Sequence, residues 1–273
     1  MYDEYKAERR YKRNGKILRW WRIVLYMNYY HLLGIKRSGN HAFMNWIIAN
    51  HGGKGAFYND INPNKDKIEY ESKNLPCFTE YSEKCNLNQN PNFCAVTMED
   101  ETLPVKGVKQ YRYLDFCKEE YKQVDSFNIL ILRDYYNVAA STYQSNLNGR
   151  KFVKDFINYN SAFKDLWVQY AKFYLRNNGF IGVLYDKWVK SKEYRNKISI
   201  QLNFANRELG LDQFPAYGFG SSFNKEEGFN SRWEVFMDNP RFCESIRDPI
   251  VEKYYLEIFG ETEQYKYYAI NSN

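Results

Sequence analysis

A chain of 273 residues with 44% hydrophobic and 26% charged side chains has a globular composition and is long enough to bury one substantial core. The formal charge of +6 favours anionic ligands through the overall field, and the 19% aromatic content, led by tyrosine, suits sugars and nucleotides as well as a core. Three histidines and five scattered cysteines, none in a C-x-x-C pair, argue against a zinc site and for free thiols in a reducing compartment, with Cys77–Cys85 the one bridge left open.

The basic stretch "KAERRYKRNGK" (6–16) reads as a solvated face, and residues 1–28 as a basic arm or helix ahead of one α/β domain over 29–265. No nucleic-acid partner is expected. The segment 17–35 is interrupted by Arg19, Arg22, Asn28 and His31, so it falls short of the roughly 20 apolar residues of a membrane span. With no signal-peptide pattern either, the expectation is a soluble, cytoplasmic protein.

"YYHLLGI" (29–35) reads as a strand and "HAFMNWIIANH" (41–51) as a helix, joined by a glycine loop. From 52 to 92 the chain is rich in Asn, Lys, Gly and Pro and reads as loops that carry ligand contacts more than core. "NFCAVTME" (92–99) is a strand ending in the acidic group Glu99, Asp100 and Glu101; "FNILILR" (127–133) is an apolar strand of the kind buried on both faces of a parallel sheet. A helix follows with Asn137 as its N-cap, then a long helix over 151–177 broken near Asn158–Asn160. A strand over 180–188, a helix over 192–211 stopping at Gly210, and a helix over 248–260 complete the order. This alternation predicts a single three-layer α/β domain, with a central mainly parallel sheet flanked by helices.

The loop "GIKRSGNHAF" (34–43) keeps the G-x-x-x-x-G spacing of a nucleotide triphosphatase loop, with Gly34 and Gly39. Its next residues are Asn40 and His41, where a triphosphatase has the lysine that bridges the outer phosphates and the hydroxyl that holds magnesium. Backbone N–H groups of Ser38, Gly39, Asn40 and His41 at a helix start form an anion nest, and Lys36 and Arg37 place cations beside it. A second stretch, "ILILRDYYNVAAS", has Arg133 at a strand end and Ser141 eight residues on, one turn into the next helix. Both side chains there can reach a phosphate above the strand end.

Together the two stretches resemble the sulfotransferase family, whose donor is 3′-phosphoadenosine 5′-phosphosulfate (PAPS). "IKRSGNH" matches that family's first signature, and "LRDYYNVAAS" its second with the Arg-to-Ser spacing kept. The resemblance implies a P-loop nucleotide-hydrolase-like fold and no metal. It also implies that residues 36–41 hold the 5′-phosphosulfate, with Arg37 at the family's cation position and Arg133 and Ser141 on the 3′-phosphate. "GVLYDKWV" is similar to the family strand ending in Tyr–Glu–Asp, which puts Tyr185 near adenine, with Asp186 replacing the glutamate. "SSFNKEEGFNSRW" is similar to the late loop that closes on the 3′-phosphate, with Arg232, Lys225, Ser222 and Phe223 as candidates, but the family's "RKG" triplet is absent.

The resemblance also implies a general base, His or a carboxylate, after the strand that precedes the Arg–Ser motif, where this chain offers Glu99 as the first choice and Asp100 and Glu101 as alternatives. His41 starts a helix, where the positive dipole end disfavours imidazolium, so it is assigned to the nucleotide side. His31 and His51 are assigned to structure. The acceptor is a hydroxyl, with carbohydrate favoured. Two other readings stand beside this one: an ATP-dependent kinase with a degenerate loop, and a nucleotide-binding module without catalysis.

Overall fold

The computed structural model describes residues 6–13, 16–23, 26–51, 55–58, 93–100, 123–147, 156–176, 179–211 and 239–270. Two strands, β1 (Lys6–Arg13) and β2 (Lys16–Ile23), pair antiparallel with Arg13 opposite Lys16. The basic N-terminal segment is thus a two-stranded ribbon, where the sequence led us to expect an arm or helix.

The main sheet comprises β3 (Tyr26–Gly34), β4 (Gly55–Tyr58), β5 (Phe93–Glu99), β6 (Gln123–Leu132) and β7 (Ile181–Leu184), in the spatial order β4-β5-β3-β6-β7. Every pairing in it is parallel. Helices α1 (Asn40–His51), α2 (Tyr135–Leu147), α3 (Phe156–Arg176), α4 (Tyr185–Lys190), α5 (Lys192–Gln201), α6 (Pro240–Ile246), α7 (Pro249–Phe259) and the short α8 (Glu263–Tyr265) complete the described elements, with a π-helical turn at Lys266–Ile270.

Strand periodicity sorts the core into two layers. Tyr29, Leu33, Leu130, Leu132, Cys94 and Val96 face α2, α3, α6 and α7, whereas Tyr30, Leu32, Ile129, Ile131, Phe93 and Ala95 face α1, α4 and α5. Helices therefore cover both faces of a parallel α/β sheet. Cys94 and Cys243 are buried; the other cysteines lie outside the described residues. Among the described residues no helix is long and apolar enough to cross a membrane.

Several boundaries differ from expectation. The strand after α3 stops at Leu184, and Tyr185 already belongs to α4. The predicted helix over 192–211 ends at Gln201, since Asn203 and Glu208 adopt left-handed backbone and residues 202–211 run on without a helix. Helix α3 runs unbroken through Asn158–Asn160, because a well-packed apolar stripe outweighs the weak propensity of asparagine.

Two histidines belong to this core. His31 is 1% and His51 5% exposed, and burial holds both imidazoles down at about 4, with the Asn128 amide pulling His31 weakly the other way. In the unfolded chain they titrate at about 6.5, so below that pH the unfolded state binds more protons than the native one and stability falls. Taking the pH from 7 to 5 costs about 2 kcal/mol for each histidine. Denaturant titrations at the two pH values check this: His51→Gln loses about 2 kcal/mol less than the unmodified protein over that interval. An equal loss contradicts the assignment.

Candidate functional site at the carboxyl edge of the sheet

The first strand of the sheet, β3, is central. From it the chain moves outward to the β4 edge, returns through β5, then crosses to β6 and β7 on the other side. Connections leaving β3 and β6 consequently part to opposite faces: α1 packs with one core layer and α2 with the other. Ligands of open α/β sheets bind in the crevice that such a parting opens at the carboxyl ends of the strands. The loop Gly34–His41 and the corner at Arg133 are the two flanks of that crevice. They touch, since Arg133 Nη1 donates to Arg37 O at 2.9 Å.

The loop is held by its own turns. Ser38 N donates to Ile35 O at 3.0 Å, and the helical ladder begins with Phe43 N donating to Gly39 O at 3.0 Å. Ser38's amide is thus committed to the turn, and the nest narrows to the amides that follow it. Arg37 (φ 73°) and Gly39 (φ 89°) are both left-handed around Ser38, an alternation that turns successive N–H groups toward one side. For Arg37 this conformation costs about 1–2 kcal/mol. Gly39 is required on a second count, because a Cβ there would lie 2.0 Å from the Tyr185 ring. At Gly34 a Cβ would lie 2.0 Å from Asn40 Oδ1.

The acidic end of β5 closes onto this loop. Asp100 N extends the sheet ladder to Gly34 O at 3.1 Å, while Asp100 Oδ1 accepts from Lys36 N at 2.8 Å and its other oxygen lies 3.8 Å from Lys36 Nζ. Lys36 is therefore turned toward Asp100. Asn40 Nδ2 donates both to Ile35 O at 3.1 Å and to Glu99 Oε1 at 2.8 Å. The same Glu99 oxygen is 4.0 Å from His41 Nε2. Glu99, Asn40, His41, Lys36 and Asp100 thus form one cluster around the loop mouth.

On the other flank Arg133 is 4% exposed, and its guanidinium lies 5.1 Å above the centre of the Tyr185 ring. Tyr185 is 6% exposed and packs in the core with Trp188. It forms the floor beneath Gly39 and Arg133. Helix α2 is capped by Asp134, whose Oδ1 accepts from Asn137 N at 2.9 Å, so Asn137 sits in the first turn and is not the cap. This moves Ser141 deeper than expected. It lies six residues beyond Tyr135, roughly 9 Å along the helix axis, and is 2% exposed. No hydrogen bond joins it to Arg133 or to the loop.

Asp134 is the residue that sequence reasoning missed. Its other oxygen accepts from Tyr255 Oη, its amide donates to Asp186 Oδ2 at 2.9 Å, and Tyr255 Oη lies 2.6 Å from Thr262 Oγ1. Burial, then the neighbouring Asp186, pushes the Asp134 carboxyl up to about 7, against the opposing pull of Tyr255, the Asn137 amide and Arg133. A strand-end Asp directly before a helix is an N-cap signal, and "LRDYY" carries it. An open cleft of about 430 Å³ between α4 and α5, lined by Lys187, Lys190, Lys197 and Tyr194, reaches the site through Asp186.

Among the described residues three fully buried polar atoms in this crevice have no hydrogen-bond partner: Ser38 Oγ, Asn40 Oδ1 and Arg133 Nε. Such atoms are rare in native interiors, and each calls for a ligand or a reason. Arg232, Glu101, Ser222, Phe223 and Lys225 lie outside the described residues. Compared with protein-family models and with curated proteins, the chain matches none of them.

Proposed function

We propose that the chain is a sulfotransferase of P-loop nucleotide-hydrolase-like architecture, moving a sulfuryl group from PAPS to an acceptor hydroxyl, with a carbohydrate as the favoured acceptor. The observation that carries this reading is the pairing of two anion-seeking corners in one crevice. The turn at Arg37–His41 and the buried Arg133 sit at the parting of β3 and β6, bonded through Arg37 O, each with a buried polar atom that has no partner among the described residues. A donor with phosphates at both ends of its ribose uses two such corners; a donor with one phosphate chain uses one.

Attack on sulfur in line with the leaving phosphate needs negative charge stabilised on that phosphate. Amides at the start of α1 and the Arg37 guanidinium do this without reorganising, and the guanidinium stays charged at any working pH. Ser38 Oγ is a donor for the same group, and Arg133 Nε for the 3′-phosphate. At the mouth the acceptor hydroxyl needs a basic group, and Glu99 and His41 stand there 4.0 Å apart. The positions after Gly39 hold Asn40 and His41, so the loop offers no lysine and no hydroxyl of the kind that makes magnesium-ATP the natural donor.

Titration calorimetry separates this reading from a kinase. The expected result is binding of adenosine 3′,5′-bisphosphate in the low micromolar range without metal, and at least tenfold weaker binding of ATP with magnesium. The reverse order overturns the proposal in favour of a kinase. A non-catalytic module shows itself by binding the bisphosphate with no release of product from PAPS.

A further inference from the structure

Glu99 does not face the mouth alone. Its Oε1 already accepts from Asn40 Nδ2, its side chain is 9% exposed, and 4.0 Å away stands His41 Nε2 on a side chain that is 26% exposed. A hydroxyl arriving from solvent meets the imidazole before the carboxylate. We propose that His41 is the catalytic proton acceptor, and that Glu99 is a positioning residue that faces its Nε2 and holds the imidazolium charge. This rests on the transfer reading above and names the base of that same site.

The chemistry follows the logic of a histidine–carboxylate pair. With the Nε2 proton directed at Glu99, Nδ1 carries the lone pair. As the acceptor oxygen attacks sulfur, its proton passes to Nδ1, the new O–S bond forms, and the bond from sulfur to the 5′-phosphate oxygen breaks, with the electron pair leaving on the bisphosphate. The imidazolium then returns its proton to solvent. The helix start opposes an imidazolium with roughly half an elementary charge spread over the first turn, whereas Glu99 offers a full charge of the opposite sign. Among the described residues, the charged groups beside this pair are Lys36 and Asp100, turned toward each other, Arg37 in the loop, and Arg133 on the far flank. Asn40 fixes the carboxylate from the second side, and its own amide is fixed in turn by Ile35 O.

Turnover and binding on the full chain test this. Release of adenosine 3′,5′-bisphosphate from PAPS, with a desulfated polysaccharide present, falls at least 100-fold in His41→Gln and in Glu99→Gln, the loss lying in kcat and not in KM, while bisphosphate affinity by calorimetry stays within about threefold. Glutamine keeps an oxygen for Asn40, so Glu99→Gln retains the loop. The double variant falls little further than either single one, because the two groups act as a unit. His41→Gln turning over at the unmodified rate overturns the base assignment, and fully multiplicative losses in the double variant overturn the pairing. Failure of the unmodified protein to bind the bisphosphate overturns the transfer reading itself, and calorimetry distinguishes that failure from a wrong pairing.

Discussion

Gly39→Ala lowers stability by about 3 kcal/mol, the sum of a left-handed backbone penalty of about 1–2 kcal/mol and an overpacking cost of about 1–3 kcal/mol. Its backbone sits at φ 89°, where a Cβ is strained whatever the space, and the new carbon would lie 2.0 Å from Tyr185 Cε2. Tyr185 has nowhere to retreat, because it is buried among Trp188 and the Arg133 guanidinium. Thermal unfolding reads the loss as a fall of roughly 6 °C for a chain of this size. A double-mutant cycle with Tyr185→Ala isolates the cause. With the ring removed, the alanine keeps its backbone strain and loses its clash, so the two costs sum to at least 1 kcal/mol more than the double variant shows. Strict additivity contradicts the wedge between loop and α4.

Arg133→Ala weakens adenosine 3′,5′-bisphosphate by 10- to 100-fold, the worth of a buried charge-assisted hydrogen bond of about 1.5–3 kcal/mol. It weakens 5′-AMP less, because AMP lacks the 3′-phosphate. Some loss for both is built in: the same side chain supports the loop through Arg37 O. The alanine variant leaves that carbonyl without its donor and removes a cation beside the buried Asp134, which the guanidinium pulls toward ionisation. Arg133→Lys separates the two roles. A lysine keeps the charge but has one point of contact where the guanidinium has a fork, so it cannot hold Arg37 O and a phosphate together. Equal losses of AMP and bisphosphate in Arg133→Lys would reduce the arginine to a strut.

Sequence periodicity carried the sheet. Alternating Tyr29–Leu33 and Ile129–Leu132 announce strands buried on both faces, and "DPIVEKYYLEIFG" ends where Gly260 takes φ 73°. It did not carry what long-range contact decides. Whether "GVLYDKW" continues as a strand or turns into a helix at Tyr185 depends on the Gly39 loop beneath which that ring packs, and no local pattern encodes it. Asn137 was read as the cap; Asp134 takes that place, held by Tyr255 and Asp186, which are remote in sequence. At the site, the loop and Arg133 were legible as motifs. The approach of Glu99 to Asn40 and His41 was not, because it arises from the parallel register that sets Gly34 beside Glu99. The corner where both motifs meet follows from strand order, which a sequence states only once the topology is known.

The central claim is that one nucleotide spans both corners. A crystal structure with adenosine 3′,5′-bisphosphate bound tests it most directly. The expected result is a single molecule with its 5′-phosphate on the amides after Ser38 and its 3′-phosphate within hydrogen-bond distance of Arg133. A nucleotide held at one corner alone, or lodged in the lysine-lined cleft beside α5, contradicts it.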